Sequence, residues 1–215
     1  MLETTGKAAR NHGALTVAKA SHGERTFRAN MLLQHPAKVY IAQRAAQLLP
    51  HEGCVFVDAG TTCFEVARLL IARPRLRLVT NSVPVLGLIQ QAKATLIGIG
   101  GEVRRVSLAL TGALTQAWIA DLHFDAIVIG AAGIHPTGGA FTNELHEAAT
   151  KGEALRRSDI RLLVADAAKW DRPAAVHFAP WNAFSYFVTN KEVPMQVRVQ
   201  LAGNCAPASA HRFSA

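Results

Sequence analysis

The stretch of residues 54–70 constrains the fold of this chain more than any other. It opens with Cys-Val-Phe-Val, a run of β-branched and aromatic residues that is typical of a buried strand. The run ends at Asp58 and breaks at Gly60, and from Phe64 onward apolar residues recur at helical spacing. The pattern predicts a strand, a tight turn and a helix in direct succession.

The turn in this stretch has the composition of an anion site. A helix N-terminus presents unpaired backbone N–H groups and partial positive charge, and Gly60 would let a ligand approach the backbone closely. Thr61 or Thr62 adds a hydroxyl donor. The alternative is that one threonine only caps the helix and the glycine only makes the turn. The local motif alone does not decide between the two interpretations.

Strand and helix patterns alternate along the rest of the chain. We predict strands at 75–80, 95–99, 125–130, 160–165 and 185–189, and helices at 37–49, 81–94, 107–122, 143–157 and 193–201. The glycine-rich stretch 131–142 predicts a loop. Apolar strands that alternate with helices indicate an α/β fold, Rossmann-like, in which a mostly parallel sheet carries helices on both faces.

Polar residues and glycines collect where the predicted strands end. Ligands of open α/β sheets bind outside the carboxyl ends of the strands, so we expect any site to lie at this edge. The residues concerned are Asp58, Gly60, Thr61, Thr62, Asn81, Gly100, Gly101, Asp166 and Lys169.

Glu147 and Lys151 lie four residues apart on the predicted helix that follows the glycine-rich loop. One interpretation is a solvated ion pair worth a few tenths of a kcal/mol, roughly the usual value at this spacing. The other is that Lys151 binds an anion. Both remain open at the level of sequence.

The familiar catalytic motifs are missing from the sequence. His146-Glu147 is followed by Thr150, where a zinc protease needs its second histidine, and the glycines at 98 and 100 lack the third glycine of a dinucleotide fingerprint. The three cysteines form no C-x-x-C pair, which argues against a disulfide framework or a zinc site. We therefore predict no catalytic residue, no metal and no cofactor.

The charge of the chain is concentrated near its N-terminus. The formal net charge is +8, and residues 1–50 hold seven Lys/Arg against two acids, a surplus of five. Such a segment favours a polyanionic neighbour such as nucleic acid, although solvated basic segments are common. No apolar run approaches the roughly 18 residues that span a bilayer, so we expect no membrane contact and a cytoplasmic location.

Taken together, the motifs resemble the sensor domain of DeoR-type bacterial transcriptional regulators over roughly residues 24–190. They occur in the order and approximate spacing of that family, and an ordered set is more specific than any one motif. The motifs are Asp58-Ala-Gly-Thr-Thr, Val79-Thr-Asn-Ser, Gly100-Gly with Arg104, Ser107-Leu-Ala-Leu-Thr-Gly, Phe124-Asp, Gly130-Ala-Ala-Gly-Ile, Glu147 with Lys151, and Ala165-Asp with Lys169.

The resemblance implies a fold related to phosphosugar isomerases and CoA transferases, and an effector that is a phosphorylated sugar or related metabolite. It implies that Gly60, Thr61 and Thr62 bind the phosphate, and that Asp58, Asn81, Gly100, Gly101, Arg104, Lys151 and Lys169 face the effector. It also implies a homo-oligomer. The alternative is an enzyme of the same fold, a phosphosugar isomerase or deaminase, which needs a placed general base. Ala132 departs from the family, whose members often place a polar or acidic residue there.

The same resemblance divides the chain into four parts. We expect residues 1–20 to be the remnant of a winged helix-turn-helix, with Lys7, Arg10 and His12 contacting DNA phosphates, and 21–35 to be a linker. Residues 36–202 form the expected effector-sensing domain and 203–215 a disordered tail. Because the recognition helix of the family has no counterpart here, we expect weak DNA binding without sequence preference from this chain alone.

Overall fold

The computed structural model describes residues 24–202 and two short strands that precede them. The strands in chain order are β1 (Ala8–Asn11), β2 (Ala14–Val17), β3 (Glu52–Val57), β4 (Arg75–Thr80), β5 (Thr95–Gly98), β6 (Glu102–Arg104), β7 (Ala109–Thr111), β8 (Phe124–Gly130), β9 (Gly133–His135), β10 (Gly139–Thr142), β11 (Ser158–Val164), β12 (Val176–Ala179) and β13 (Tyr186–Val188). The helices are α1 (Phe27–Leu32), α2 (His35–Leu48), α3 (Thr61–Leu70), α4 (Val83–Leu86), α5 (Ala113–Ala120), α6 (Leu145–Arg156) and α7 (Met195–Ala202).

A six-stranded parallel sheet forms the centre of the fold. Its strand order is β13-β11-β8-β3-β4-β5, and every neighbouring pair runs parallel. The order reverses between β3 and β8, where Val57 lies opposite Val128. This confirms the predicted α/β class with a mostly parallel sheet.

Helices cover both faces of the sheet, as the apolar strands predict. Val55 and Val57 point into one core together with buried residues of α2 and α3, whereas Phe56 points into the other with residues of α5, α6 and α7. Successive strand residues face opposite sides, so a strand buried on both sides must be apolar throughout. Val197 is fully buried in the second core, so α7 covers the chain's own sheet.

Two predicted helices are shorter than expected. The helix predicted at 107–122 begins only at Ala113, because Gly112 has a φ of +96° that few other residues adopt and ends the preceding strand β7 there. β7 instead pairs antiparallel with β6. The helix predicted at 81–94 is reduced to the four-residue α4, with Gly87 as its C-cap, followed by a 3-10 turn at Ile89–Gln91.

The prediction of a loop at the glycine-rich stretch 131–142 is wrong. Most of the stretch forms two strands, β9 and β10. β9 and β10 pair with each other, and β12 adds to β10, which gives a three-stranded antiparallel sheet. Gly139 has a φ of +82°, and a Cβ there would lie 2.3 Å from the Ala179 carbonyl oxygen. The glycine therefore serves strand packing.

The stretch predicted as a linker, residues 21–35, contains helix α1 in its described part. Thr26 caps the helix and Phe27 is buried against the ring of Phe64 in α3, with ring centroids 6.0 Å apart. This single apolar contact is too local to show in a sequence periodicity. The predicted disordered tail at 203–215 and much of the predicted wing remnant lie outside the described residues.

Candidate functional site

The candidate site lies where the strand order of the parallel sheet reverses. The backbone N–H of Asp58, just after β3, donates to the Val128 carbonyl of β8 at 3.0 Å, and Gly130 N–H donates to the Asp58 carboxylate at 3.3 Å. The two strands therefore remain tied together as they end. In open α/β sheets this crevice is where ligands bind.

A cavity of about 100 Å³ opens at this point. The residues that line it come from the turn after β3, the ends of β8 and β11, helix α6, and the segment around α1. They are Glu24, Arg25, Phe27, Asn30, Ala59, Gly60, Thr61, Thr62, Cys63, Ser107, Gly130, Ala131, Ala132, Asn143, Glu147, Lys151, Val164, Lys169 and Arg172.

The turn after β3 presents the start of α3 to the cavity. Gly60 is the residue before the helix and no side chain caps the first turn, so the interpretation of a threonine as the helix cap is wrong. The turn is held from behind, since Ala59 N–H donates to the Asn81 side-chain oxygen at 2.9 Å. An uncapped helix start beside two threonine hydroxyls is suited to an anion.

Lys151, which lines the cavity, also forms a buried ion pair with Asp58. Its ammonium group donates to the Asp58 carboxylate, and to the Gly130 carbonyl at 3.2 Å. Burial raises the pKa of Asp58 above its ordinary value, with Lys151 opposing the change. Burial alone would lower the pKa of Lys151, but Asp58 and Glu147 outweigh it and raise the value.

The ion pair between Glu147 and Lys151 that the sequence allows is not the one that forms. Glu147 accepts hydrogen bonds from the hydroxyl of Thr142 at 3.0 Å and from Arg104 at 3.4 Å. Arg104 also donates to the hydroxyl of Ser107 and pairs with both carboxylate oxygens of Glu24. The hydrogen bonds to Glu24 raise the pKa of Arg104.

Three cationic side chains, Arg25, Lys169 and Arg172, also line the cavity. Burial lowers the pKa of Lys169 to about 8, and the positive charges of Arg172 and Arg25 add to the effect. Asp166 acts in the opposite direction but is itself occupied in capping a 3-10 turn, where it accepts from Ala168 N–H at 3.0 Å. Together, these three cationic side chains place positive charge at the cavity, and a bound anion would stabilise that charge.

The structure brings together half of the effector-facing residues that the resemblance implies. Gly60, Thr61, Thr62, Lys151 and Lys169 line the cavity. Outside its lining are Asp58, Asn81, Gly100, Gly101 and Arg104, of which Asp58 and Asn81 position the neighbouring groups described above.

Gly100 and Gly101 hold the start of α5. The Thr115 hydroxyl donates to the Gly100 carbonyl at 2.8 Å, and a Cβ on Gly101 would lie 2.0 Å from that hydroxyl oxygen. A side chain at Gly101 would thus collide with α5. Of the expected DNA contacts, Lys7 and His12 lie outside the described residues, and Arg10 is placed only as a backbone position in β1.

Sequence reasoning missed the contribution of residues 24–30 and Arg172 to the cavity. The first group lies in the stretch expected to be a linker, where nothing but polar composition stands out. Arg172 follows Lys169 by three residues, and this basic spacing was a usable signal. Ala132 lines the cavity with no polar group of its own, so no carboxylate is contributed at that position.

Two further properties bear on the kind of site. In the part of the chain that the structure describes, no three His, Cys, Asp or Glu side chains are grouped to hold a metal ion. Within the same residues, no helix has both the length and the apolar character needed to cross a bilayer.

Comparison with known proteins identifies the family. Residues 33–191, most of the chain, match the model of the DeoR C-terminal sensor domain. The chain belongs to this family. The DeoR assignment confirms the resemblance drawn from the ordered motifs.

Curated relatives of this DeoR sensor chain are transcriptional regulators. The glycerol-3-phosphate regulon repressor of Haemophilus influenzae is 31% identical over 154 residues, 72% of this chain and 60% of that protein. The repressor of the same name from Escherichia coli is 28% identical over 87% of this chain and 75% of its own length. The HTH-type transcriptional regulator GlpR of Haloferax volcanii is 28% identical over 93% and 78%. The relatives thus favour the regulator over the enzyme alternative.

Two solved structures superpose on this chain at low sequence identity. eIF2B delta of Chaetomium thermophilum superposes with a TM-score of 0.51 at 10% identity, over 74% of this chain and 57% of that one. Ribose 5-phosphate isomerase A of Methanocaldococcus jannaschii has a TM-score of 0.47 at 14% identity, over 63% and 54%. At 10% identity, the superposition on eIF2B delta supports the α/β fold alone.

Proposed function

We propose that this sensor domain binds a phosphorylated sugar or related metabolite in the cavity at the start of α3, and that binding alters the hold of a regulator on DNA. The observation that carries the proposal is the uncapped first turn of α3, which opens with Gly60, Thr61 and Thr62 into a cavity that also contains Lys169 and Arg172. A phosphate group takes hydrogen bonds from such a turn and charge from such a cluster.

The chemistry of the lining supports a small polar ligand. Asn143, Ser107 and Glu147 carry groups that can hydrogen-bond hydroxyls, whereas Ala131 and Ala132 contribute apolar methyl groups to the lining. Two relatives are repressors of glycerol-3-phosphate regulons, so glycerol 3-phosphate is the first compound to test here. Ribose 5-phosphate and glucose 6-phosphate extend the panel to pentoses and hexoses.

The test is calorimetric titration of each phosphate ester and of its dephosphorylated counterpart. We expect only esters to bind, because the free hydroxyl compounds lack the charge that the site stabilises. Thr61→Val removes one hydroxyl donor and should weaken binding at least about tenfold, since one contact to a charged group is worth roughly 1.5–3 kcal/mol.

The matched control is Thr95→Val, at the exposed start of β5 and outside the cavity lining, which should bind like the unchanged protein. Equal affinity of the Thr61→Val and Thr95→Val variants would remove the α3 turn from the site. Conversion of any ester in the same samples would instead support an isomerase or deaminase.

A further inference from the structure

Residues 24–33 contribute to the lining of the candidate site. All of them except residue 33 lie before the matched family region, which spans residues 33–191. Glu24, Arg25, Phe27 and Asn30 contribute four of the residues that line the cavity. The effector site of this chain is therefore partly built from the segment that leads into the sensor domain.

This segment, residues 24–33, is held by few contacts. Phe27 is the one buried residue of α1, and its N–H donates to the Val106 carbonyl at 2.7 Å. The buried ammonium group of Lys38 donates to the carbonyl of Asn30 and, at 2.6 Å, to that of Leu33. Leu32 is 85% exposed. A six-residue helix with one buried side chain belongs to the least stable part of a structure, where local opening costs little.

An ion pair between Glu24 of the segment and Arg104 occupies the guanidinium group of Arg104. One guanidinium nitrogen lies 3.1 Å from a Glu24 oxygen and 3.4 Å from Glu147, and the other nitrogen pairs with the second Glu24 oxygen. Two parallel bonds of this kind are the arrangement in which Arg also binds phosphate. While Glu24 is in place, Arg104 has no such face to offer a ligand.

The small size of the cavity indicates that part of its wall must move before a sugar phosphate can enter. Sites for small ligands usually measure about 300–1,000 Å³, and this one measures about 100 Å³. The central sheet, α3 and α6 are packed into the two cores, whereas the segment is not. The segment is thus the wall that can move to admit a sugar phosphate.

We propose that Glu24 is an internal carboxylate that occupies Arg104, and that a phosphorylated ligand takes its place on Arg104 and releases residues 24–33 from the site. The inference rests on the proposed function for its ligand. Since β1 and β2 precede this segment in the chain, release at Glu24 frees the connection between them and the sensor domain. Effector binding would then directly loosen the segment that connects β1 and β2 to the sensor domain.

The test combines the Glu24→Gln variant with hydrogen exchange of peptides that span residues 24–34. Without ligand, Glu24→Gln should exchange in these peptides at least about threefold faster than the unchanged protein, because the charge that holds Arg104 is gone. Glu52→Gln is the matched control: Glu52 pairs with Arg75 at 3.2 Å at the opposite edge of the sheet, and its loss should leave these peptides unchanged.

The ligand arm uses glycerol 3-phosphate, ribose 5-phosphate and inorganic phosphate as probes. A saturating ester should speed exchange of residues 24–34 in the unchanged protein, and Glu24→Gln should bind it about three- to tenfold more tightly. Slower exchange on binding would show that the segment closes over the ligand and would overturn the displacement. Equal exchange of ligand-free Glu24→Gln and unchanged protein would overturn the role of Glu24 even if esters bind. If no probe binds either protein, the proposed function fails, and displacement with it.

Discussion

The ammonium group of Lys151 and the carboxylate of Asp58 meet 93 residues apart in the chain, with 6% and 3% of their side chains exposed. Asp58 also accepts a hydrogen bond from Gly130 N–H, so that one carboxylate joins β3, β8 and α6. The pair gives the switch point of the sheet a fixed charge arrangement, and a second pair joins Arg104 to Glu24, which lines the cavity.

Lys151→Met should lower the free energy of unfolding of the domain. It leaves a buried carboxylate unpaired, which costs about 3–5 kcal/mol. Urea unfolding should show this loss, and Asp58→Asn with Lys151→Met should cost less than the sum of the single changes. Arg156→Met, on the same helix but with a 68% exposed side chain, should change stability by no more than about 1 kcal/mol. Additive single changes would contradict the coupling.

Ligand affinity should fall as pH rises through about 8. Below that pH Lys169 is protonated and attracts the phosphate, and above it the side chain loses its charge. The second ionisation of a phosphate ester, near pH 6, is complete in this range. Titrations between pH 7 and 9.5 should therefore show weakening of up to about tenfold per pH unit above 8. Lys169→Arg, which keeps its charge, should remove the pH dependence; a flat profile in both proteins would exclude Lys169 from the site.

Without ligand, the same group gives the opposite trend in stability. The unfolded chain holds the Lys169 proton up to its ordinary pKa of 10.5, whereas the folded chain loses it near 8. Between these two values the unfolded state therefore binds more protons than the folded state. The contribution of Lys169 to the free energy of unfolding should become more positive as pH rises through this window, so the protein becomes more stable. Comparing denaturant midpoints of the unchanged protein and Lys169→Arg isolates that contribution.

Gly101→Ala should lower stability by roughly 2 kcal/mol or more, since the new Cβ meets the Thr115 hydroxyl and the Thr111 carbonyl. Gly152→Ala is the contrasting change. Gly152 lies inside α6 with its nearest neighbour 3.8 Å from an added Cβ, so alanine should stabilise by about 0.5–1 kcal/mol. If the melting temperatures of both variants shift in the same direction, the proposed difference between a crowded Gly101 and an uncrowded Gly152 is wrong.

Most strands of the central sheet were predictable because each contains a run of buried apolar residues. β4 was predicted with the bounds that the structure shows, and β8 and β11 within two residues. The hairpin of β6 and β7 was not, because each strand has three residues and its pairing depends on Gly112 and the fold around it.

Sequence indicated the part of the site that lies on consecutive residues. The turn at Gly60–Thr62 was visible because a strand, a glycine and a helix follow one another, and Lys169 because it follows a strand. Arg104 and Glu24 are 80 residues apart, and their contact depends on how α1 packs. No local pattern carries that information.

We expect the domain to form at least a dimer. The buried residues of α7 cover the chain's own sheet and are not available to a neighbour, but Leu114 and Trp118, four residues apart on α5, are 58% and 49% exposed. Light scattering at tens of micromolar should therefore give at least twice the mass of one chain. The mass of a single chain under those conditions would refute the expectation.

The aromatic side chains beside Lys169 make the site observable by light. Trp170 follows Lys169 directly and contacts the fully buried Trp181, with ring centroids 5.7 Å apart, whereas Trp118 lies half-exposed on α5. A Trp118→Phe background therefore leaves emission from Trp170, the neighbour in sequence of the lining residue Lys169, and from Trp181, which contacts Trp170. Occupancy of the site can then be followed by intrinsic fluorescence at nanomolar to micromolar protein, without a label and without knowing the ligand beforehand.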